Sequence, residues 1–155
     1  MPEPGVEQAA GVIEREVRIE APPETVFEFF VDPEKYVRWK GRMAWLDPRP
    51  GGEYRVAIND QAVARGEFVE IDPPRRVVFT WGWEGMDAVP PGSSTVEVTF
   101  EPDGDATILR LVHRGLPSAE EVQQHSHGWD MYLGRLVVAG AGGDPGPDPN
   151  ANPQS

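Results

Sequence analysis

The stretch Pro117–Ala139, P-S-A-E-E-V-Q-Q-H-S-H-G-W-D-M-Y-L-G-R-L-V-V-A, decides the fold. Ser118 and Glu121 form an S-x-x-E capping box, and Pro117 marks the boundary just before it. Val122, His125, Trp129, Tyr132, Leu133 and Leu136 then recur at spacings of three and four, which lays them along one stripe of a helix. His127, Met131 and Arg135 fall largely on the other side, and Asp130 faces away from the stripe as a solvated or surface-paired group. An apolar stripe this broad must be buried, and the strands that precede it are the available partner. His125 is the odd member, a titratable ring on the inward face.

Those strands are read outward from the helix. Leu109, Leu111 and His113 alternate inward on the last one, and Val96, Val98 and Phe100 on the one before, with Pro102-Asp103-Gly104-Asp105 as the hairpin turn. Val77, Phe79, Trp81 and Trp83 place four large side chains on one face, and residues 84–92 form a loop. Ala62–Ile71 is a longer strand in which Gly66 predicts a bulge or bend. Tyr54, Val56 and Ile58 alternate through another, and Met43–Leu46 is a weak one. Two short helices precede these, one opened by Pro22-Pro23 and one by Asp32-Pro33, and the alternating run 13–20 is a half-buried first strand. Its acidic positions 14, 16 and 20 read as a solvated face.

The totals place the 155-residue chain as one globular domain with 39% hydrophobic and 26% charged residues. No apolar run reaches the roughly 18 residues of a membrane span, and the N-terminus lacks the pattern of a secretory signal, so a cytoplasmic location is the default expectation. The net charge of −12, with Lys35 and Lys40 the only lysines, argues against nucleic acid and against anionic membrane as partners. Zero cysteines exclude disulfides and thiolate chemistry. Half of the sixteen residues 140–155 are glycine or proline, so the expected division is a loose arm over 1–11, a domain over 12–139 and a disordered tail over 140–155.

Strand, two short helices, about six mostly antiparallel strands and a long helix make an α+β architecture, a sheet curled around one helix. The pieces A-P-P-E-T-V-F-E-F-F-V-D-P-E-K-Y-V-R-W (21–39), G-G-E-Y (51–54), G-E-F-V-E-I-D-P-P-R-R-V-V-F-T-W (66–81), S-T-V-E-V-T-F-E-P-D-G (94–104) and H-S-H-G-W (125–129) resemble the START-like (SRPBCC) superfamily, which includes polyketide cyclase- and Bet v-like helix-grip proteins. More narrowly they resemble its branch of homologues of the activator of the heat-shock protein 90 ATPase. The resemblance covers about residues 12–138. It implies a helix-grip fold, a curved seven-stranded antiparallel sheet gripping the C-terminal helix, with an apolar cavity between them. Relatives in the superfamily bind lipids, sterols or polyketides, and some cyclise or sequester them. The eukaryotic activator carries a further chaperone-binding domain for which this chain has no room.

Trp81, Trp83, His113, His125, Trp129 and Tyr132 are the candidate ligand-binding residues. Aromatic rings wall ligand pockets and fill cores equally well, and the two histidines could hydrogen-bond a carbonyl or hydroxyl or move a proton. Trp39 and Trp45 stand outside that group. There is no phosphate-loop spacing, no nucleophile elbow, no zinc motif and no matched carboxylate for a metal, so no catalytic residue, cofactor or metal is assigned. The first reading is a binder of a small hydrophobic or aromatic molecule. The alternatives are a polyketide cyclase- or hydrolase-type enzyme using a pocket histidine, and a chaperone-interaction module. A homodimer stays open.

Overall fold

The computed structural model describes residues 11–150. Its C-terminal helix, Ala119–Gly140, begins where the capping box places it, with the Ser118 hydroxyl accepting from the Glu121 amide at 3.2 Å. Trp129, Tyr132, Leu133, Leu136 and Ala139 are buried along one face, and Val122 packs against the same core. His127 is exposed, which fixes the helix phase as read. Each such buried side chain contributes on the order of 1.5–3 kcal/mol, so the stripe alone anchors the helix to the sheet.

Seven strands precede the helix: β1 (Val12–Ile19), β2 (Met43–Leu46), β3 (Glu53–Ala57), β4 (Val63–Asp72), β5 (Arg76–Trp81), β6 (Ser94–Asp103) and β7 (Ala106–Arg114). They form one antiparallel sheet in the order β1-β7-β6-β5-β4-β3-β2. The first and last segments of the strand series meet: Ile13 lies opposite His113 and Ile19 opposite Thr107. Two short helices, α1 (Pro23–Val31) and α2 (Pro33–Tyr36), follow β1, and the long helix is α3. The Asp32 carboxylate accepts from the Glu34 amide at 2.9 Å, the cap expected for α2. This is the helix-grip α+β fold.

Two details differ from the sequence reading. The irregularity in β4 falls between Phe68 and Glu70 and pushes Val69 outward, whereas Gly66 is needed for a close approach. A Cβ on Gly66 would sit 2.0 Å from the Thr80 carbonyl oxygen. Trp83 lies beyond the end of β5 and is held by a single bridge to Ala64, yet it still turns inward. Trp45 is partly exposed, with the Arg55 guanidinium 4.6 Å from its ring centre, because β2 is an edge strand facing water.

The tail differs most. Residues 144–150 pack against the domain, although no large apolar side chain anchors them. Backbone carbonyls do so instead. Arg135 donates to the carbonyls of Pro145 (3.2 Å), Gly146 (3.0 Å) and Pro147 (3.1 Å), and also to that of Trp39 (2.8 Å). Asp148 is buried and accepts from the Gly41 amide (2.8 Å), the Tyr132 hydroxyl (3.1 Å) and the Asn150 amide (2.7 Å). Reading 140–155 as wholly disordered is therefore corrected for 144–150. Composition registers missing apolar surface but not a guanidinium that meets four carbonyls. The same contacts make Arg135 half-buried, and Met131 packs on the core edge. The arm expected over 1–11 lies, save Gly11, outside the described residues.

Candidate functional site

The sequence of α3 brings Glu121, Gln124, His125, Gly128, Trp129 and Tyr132 to one side of its first four turns. Facing them are Trp81 and Trp83 from the end of β5, the β3–β4 turn with Ile58, Asn59 and Ala62, and Lys40 from just beyond α2. Met86 and Asn150 complete the wall. These groups line a cavity of about 350 Å³ that is open to solvent on one side, within the usual range of small-molecule pockets. Five of the six residues singled out in the sequence line it: Trp81, Trp83, His125, Trp129 and Tyr132. His113 does not.

His113 stands behind the wall with no exposed surface. An indole N–H can only donate, so the 3.0 Å contact from Trp129 Nε1 makes His113 Nδ1 an acceptor. Ser94 donates its hydroxyl proton to the Trp81 carbonyl at 2.9 Å, which leaves Ser94 Oγ to accept from His113 Nε2 at 2.8 Å. Every hydrogen-bonding group of that chain is used. Burial pushes the His113 pKa down to about 3, helped by the neighbouring His125 and Lys40, so the ring is neutral. Its contribution is to aim the indole of Trp129.

His125 is tied in a similar way, nearer the cavity. Trp83 Nε1 donates to His125 Nε2 at 3.1 Å, which leaves Nδ1 to donate to the Glu121 carbonyl at 2.8 Å. Burial lowers the pKa of this ring as well, against the opposing pull of Glu121. Neither histidine offers a free lone pair while these bonds hold.

The group the sequence reading missed is Lys40. Its side chain is only 3% exposed, and Nζ lies 4.1 Å from the ring centres of both Trp81 and Trp129 and 5.0 Å from that of Tyr132. No hydrogen bond or ion pair joins Nζ to another described residue; its surroundings are ring faces. Burial pushes its pKa from 10.5 down to about 7, partly offset by the Asp148 carboxylate. Asp148 fixes the spot from behind: the amide it binds belongs to Gly41, whose φ of +82° requires glycine. The Trp81 indole N–H is likewise buried without a partner. A lysine immediately after Trp39, in a chain with two lysines, was the available signal.

The fold fits what the comparisons find. The chain matches the family described as Activator of Hsp90 ATPase homolog 1-like protein over residues 20–140. It belongs to that family. The solution structure of an AHSA1-like protein from Rhizobium etli is 49% identical, with a TM-score of 0.72, and the match covers 89% of this chain and 86% of that one. DynU16, whose crystal structure is described as that of a protein in the dynemicin biosynthetic locus, is 26% identical with a TM-score of 0.75, over 87% of this chain and 49% of that one. An uncharacterized protein of Schizosaccharomyces pombe is 25% identical over 115 residues, which is 74% of this chain and 32% of that protein. The chain thus spans about a third of the length of that curated relative. Family members place the same sheet around the same helix.

No described helix is long and apolar enough to cross a membrane.

Proposed function

We propose that this protein binds a small, flat, largely apolar molecule in the cavity between the sheet and α3, with no cofactor, in the cytoplasm. One observation carries the reading: a cleft of about 350 Å³, open to solvent on one side, is walled by Trp81, Trp83, Trp129 and Tyr132 beside the packed core. Tryptophan and tyrosine rings that face an open cleft offer the kind of apolar surface that a flat ligand covers. The occurrence of DynU16 in a biosynthetic locus for dynemicin is consistent with a binder of this kind.

The test is a titration with N-phenyl-1-naphthylamine, a neutral two-ring-system dye, followed by quenching of the indole fluorescence. Saturable binding that Trp83→Ala weakens tenfold supports the reading, and no saturable binding counts against it. Native mass spectrometry of protein purified from its own host would identify the natural occupant.

The enzyme alternative, a cyclase or hydrolase using a pocket histidine, is the weaker reading because both histidines are neutral and spent on internal hydrogen bonds. A chaperone contact draws support from the family's description. Met43 and Trp45 on the edge strand β2 are the exposed apolar side chains that such a contact could use there.

A further inference from the structure

Lys40 is the one buried charge carrier that no described residue pairs. Its amine can make three hydrogen bonds, yet it is surrounded by the faces of Trp81, Trp129 and Tyr132. The carboxylate that acts on it, Asp148, is already committed to the Gly41 amide, the Tyr132 hydroxyl and the Asn150 amide. Reaching Nζ would cost Asp148 those bonds. The other titratable groups acting on the amine, His113 from β7 and His125 from α3, are neutral, and the Tyr132 hydroxyl donates to Asp148. No described residue completes this amine, and Lys40 lines the cavity.

We propose that the cavity selects ligands carrying an anionic oxygen group, a carboxylate or an acidic phenol or enol, which pairs with Lys40 while the ligand's rings stack in the tryptophan cleft. This rests on the reading of the cavity as a ligand site and narrows its ligand class. A buried ammonium with ring faces around it lacks only an acceptor, and an anion provides one where the low dielectric makes the pairing strong. The free amine sits near its titration midpoint at about pH 7. Binding an anion therefore draws a proton onto Lys40, and affinity falls as pH rises above 7. Glu121 also lines the cavity and opposes an anion there, so it sharpens the requirement that the anion reach Lys40.

The experiment compares two dyes that differ by one group. N-Phenyl-1-naphthylamine is neutral, and 8-anilino-1-naphthalenesulfonate is the same ring system bearing a sulfonate. Both are titrated into the whole protein, wild type and Lys40→Met, from pH 6.5 to 9. Methionine retains an unbranched chain among the rings and removes the charge, and retained binding of the neutral dye shows that the variant is folded. The expected result is that Lys40→Met weakens the sulfonate dye tenfold or more and the neutral dye less than twofold. In the wild type, affinity for the sulfonate dye should fall severalfold per pH unit above about 7 while the neutral dye stays level. Glu121→Gln should tighten the sulfonate dye alone. Equal effects on the two dyes, or pH-independent sulfonate binding, would overturn the role of Lys40 and leave the cavity reading in place. Failure of both dyes to bind would overturn both.

Discussion

Two aromatic clusters share one interior, and they are built to opposite ends. Under α1 and α2, Phe27, Phe30, Tyr36, Trp39, Tyr54 and Phe100 interlock edge to face, with ring centres 4.9–6.4 Å apart. Their polar atoms are paired: the two tyrosine hydroxyls meet each other, and Trp39 Nε1 donates to the Phe29 carbonyl at 3.0 Å. Burial holds both tyrosines in the neutral form, so that pair is inert. Under the first half of α3, Trp81, Trp83 and Trp129 wall an open cleft, and among the described residues neither the Lys40 amine nor the Trp81 N–H has a hydrogen-bond partner. The same residue class fills one end and walls the other. What differs is whether the polar atoms find partners within the chain.

The difference should appear most strongly on truncation. Phe30 is fully buried and touches three other rings, so Phe30→Ala should cost about 3–5 kcal/mol in urea unfolding. Trp83→Ala, at a half-buried wall, should cost no more than about 1–2 kcal/mol while weakening the neutral dye tenfold. Similar stability losses at the two positions would erase the distinction between core and wall.

Next in size is the pH dependence from Lys40. Its pKa is lowered in the folded state, to about 7 from 10.5, so between those values the unfolded chain holds a proton that the folded one lacks. Stability must then rise with pH across that window, and the penalty is complete below about 7. Lys40→Met removes it. The variant should be more stable than wild type by about 2–3 kcal/mol at pH 6, allowing for what the ring faces return to the cation, and the gap should close toward pH 10. A gap that is flat with pH would mean that the amine is not desolvated as the packing indicates.

The tail comes third. Deleting residues 144–155 removes three carbonyls from Arg135 and all of Asp148. The expected loss is about 2 kcal/mol, or about 5 °C in Tm for a domain of this size. A change within a degree would show that these contacts contribute nothing in solution.

These cases mark what was legible in the sequence. Spacing in α3 gave the inward stripe, because helical period and burial are local to one segment. Alternation gave the strands and put His113 inside, as helical spacing put His125. It could not say which of them meets the cavity, since that depends on whether Ser94 and Trp129 arrive at His113 and use up both nitrogens. Lys40 was missed for the same kind of reason: its place after Trp39 marks it as unusual, but nothing at positions 39–41 announces that three rings from β5 and α3 will converge on its amine. The docking of 144–150 was missed because Arg135, read as an outward residue, supplies the contact that composition cannot weigh.

The smallest effect separates the two histidines. Both accept an indole N–H and donate onward, His113 from Trp129 to Ser94 and His125 from Trp83 to the Glu121 carbonyl. Phenylalanine at either site keeps the ring volume and removes both nitrogens. At position 113 the stranded groups, Trp129 Nε1 and Ser94 Oγ, are buried beyond the reach of water, so His113→Phe should cost about 2–3 kcal/mol. At position 125 the partner Trp83 is half-buried beside the cavity and can be rehydrated. His125→Phe should therefore cost about 1 kcal/mol or less, and it should leave the neutral dye bound within about threefold. Thermal melts of the two variants in parallel check the contrast. If His125→Phe were the costlier change, the His125–Trp83 pair would be acting as sealed core. The cavity would then end short of it, and the choice of ligand would fall to Lys40 and the other polar groups of the wall, Glu121 among them.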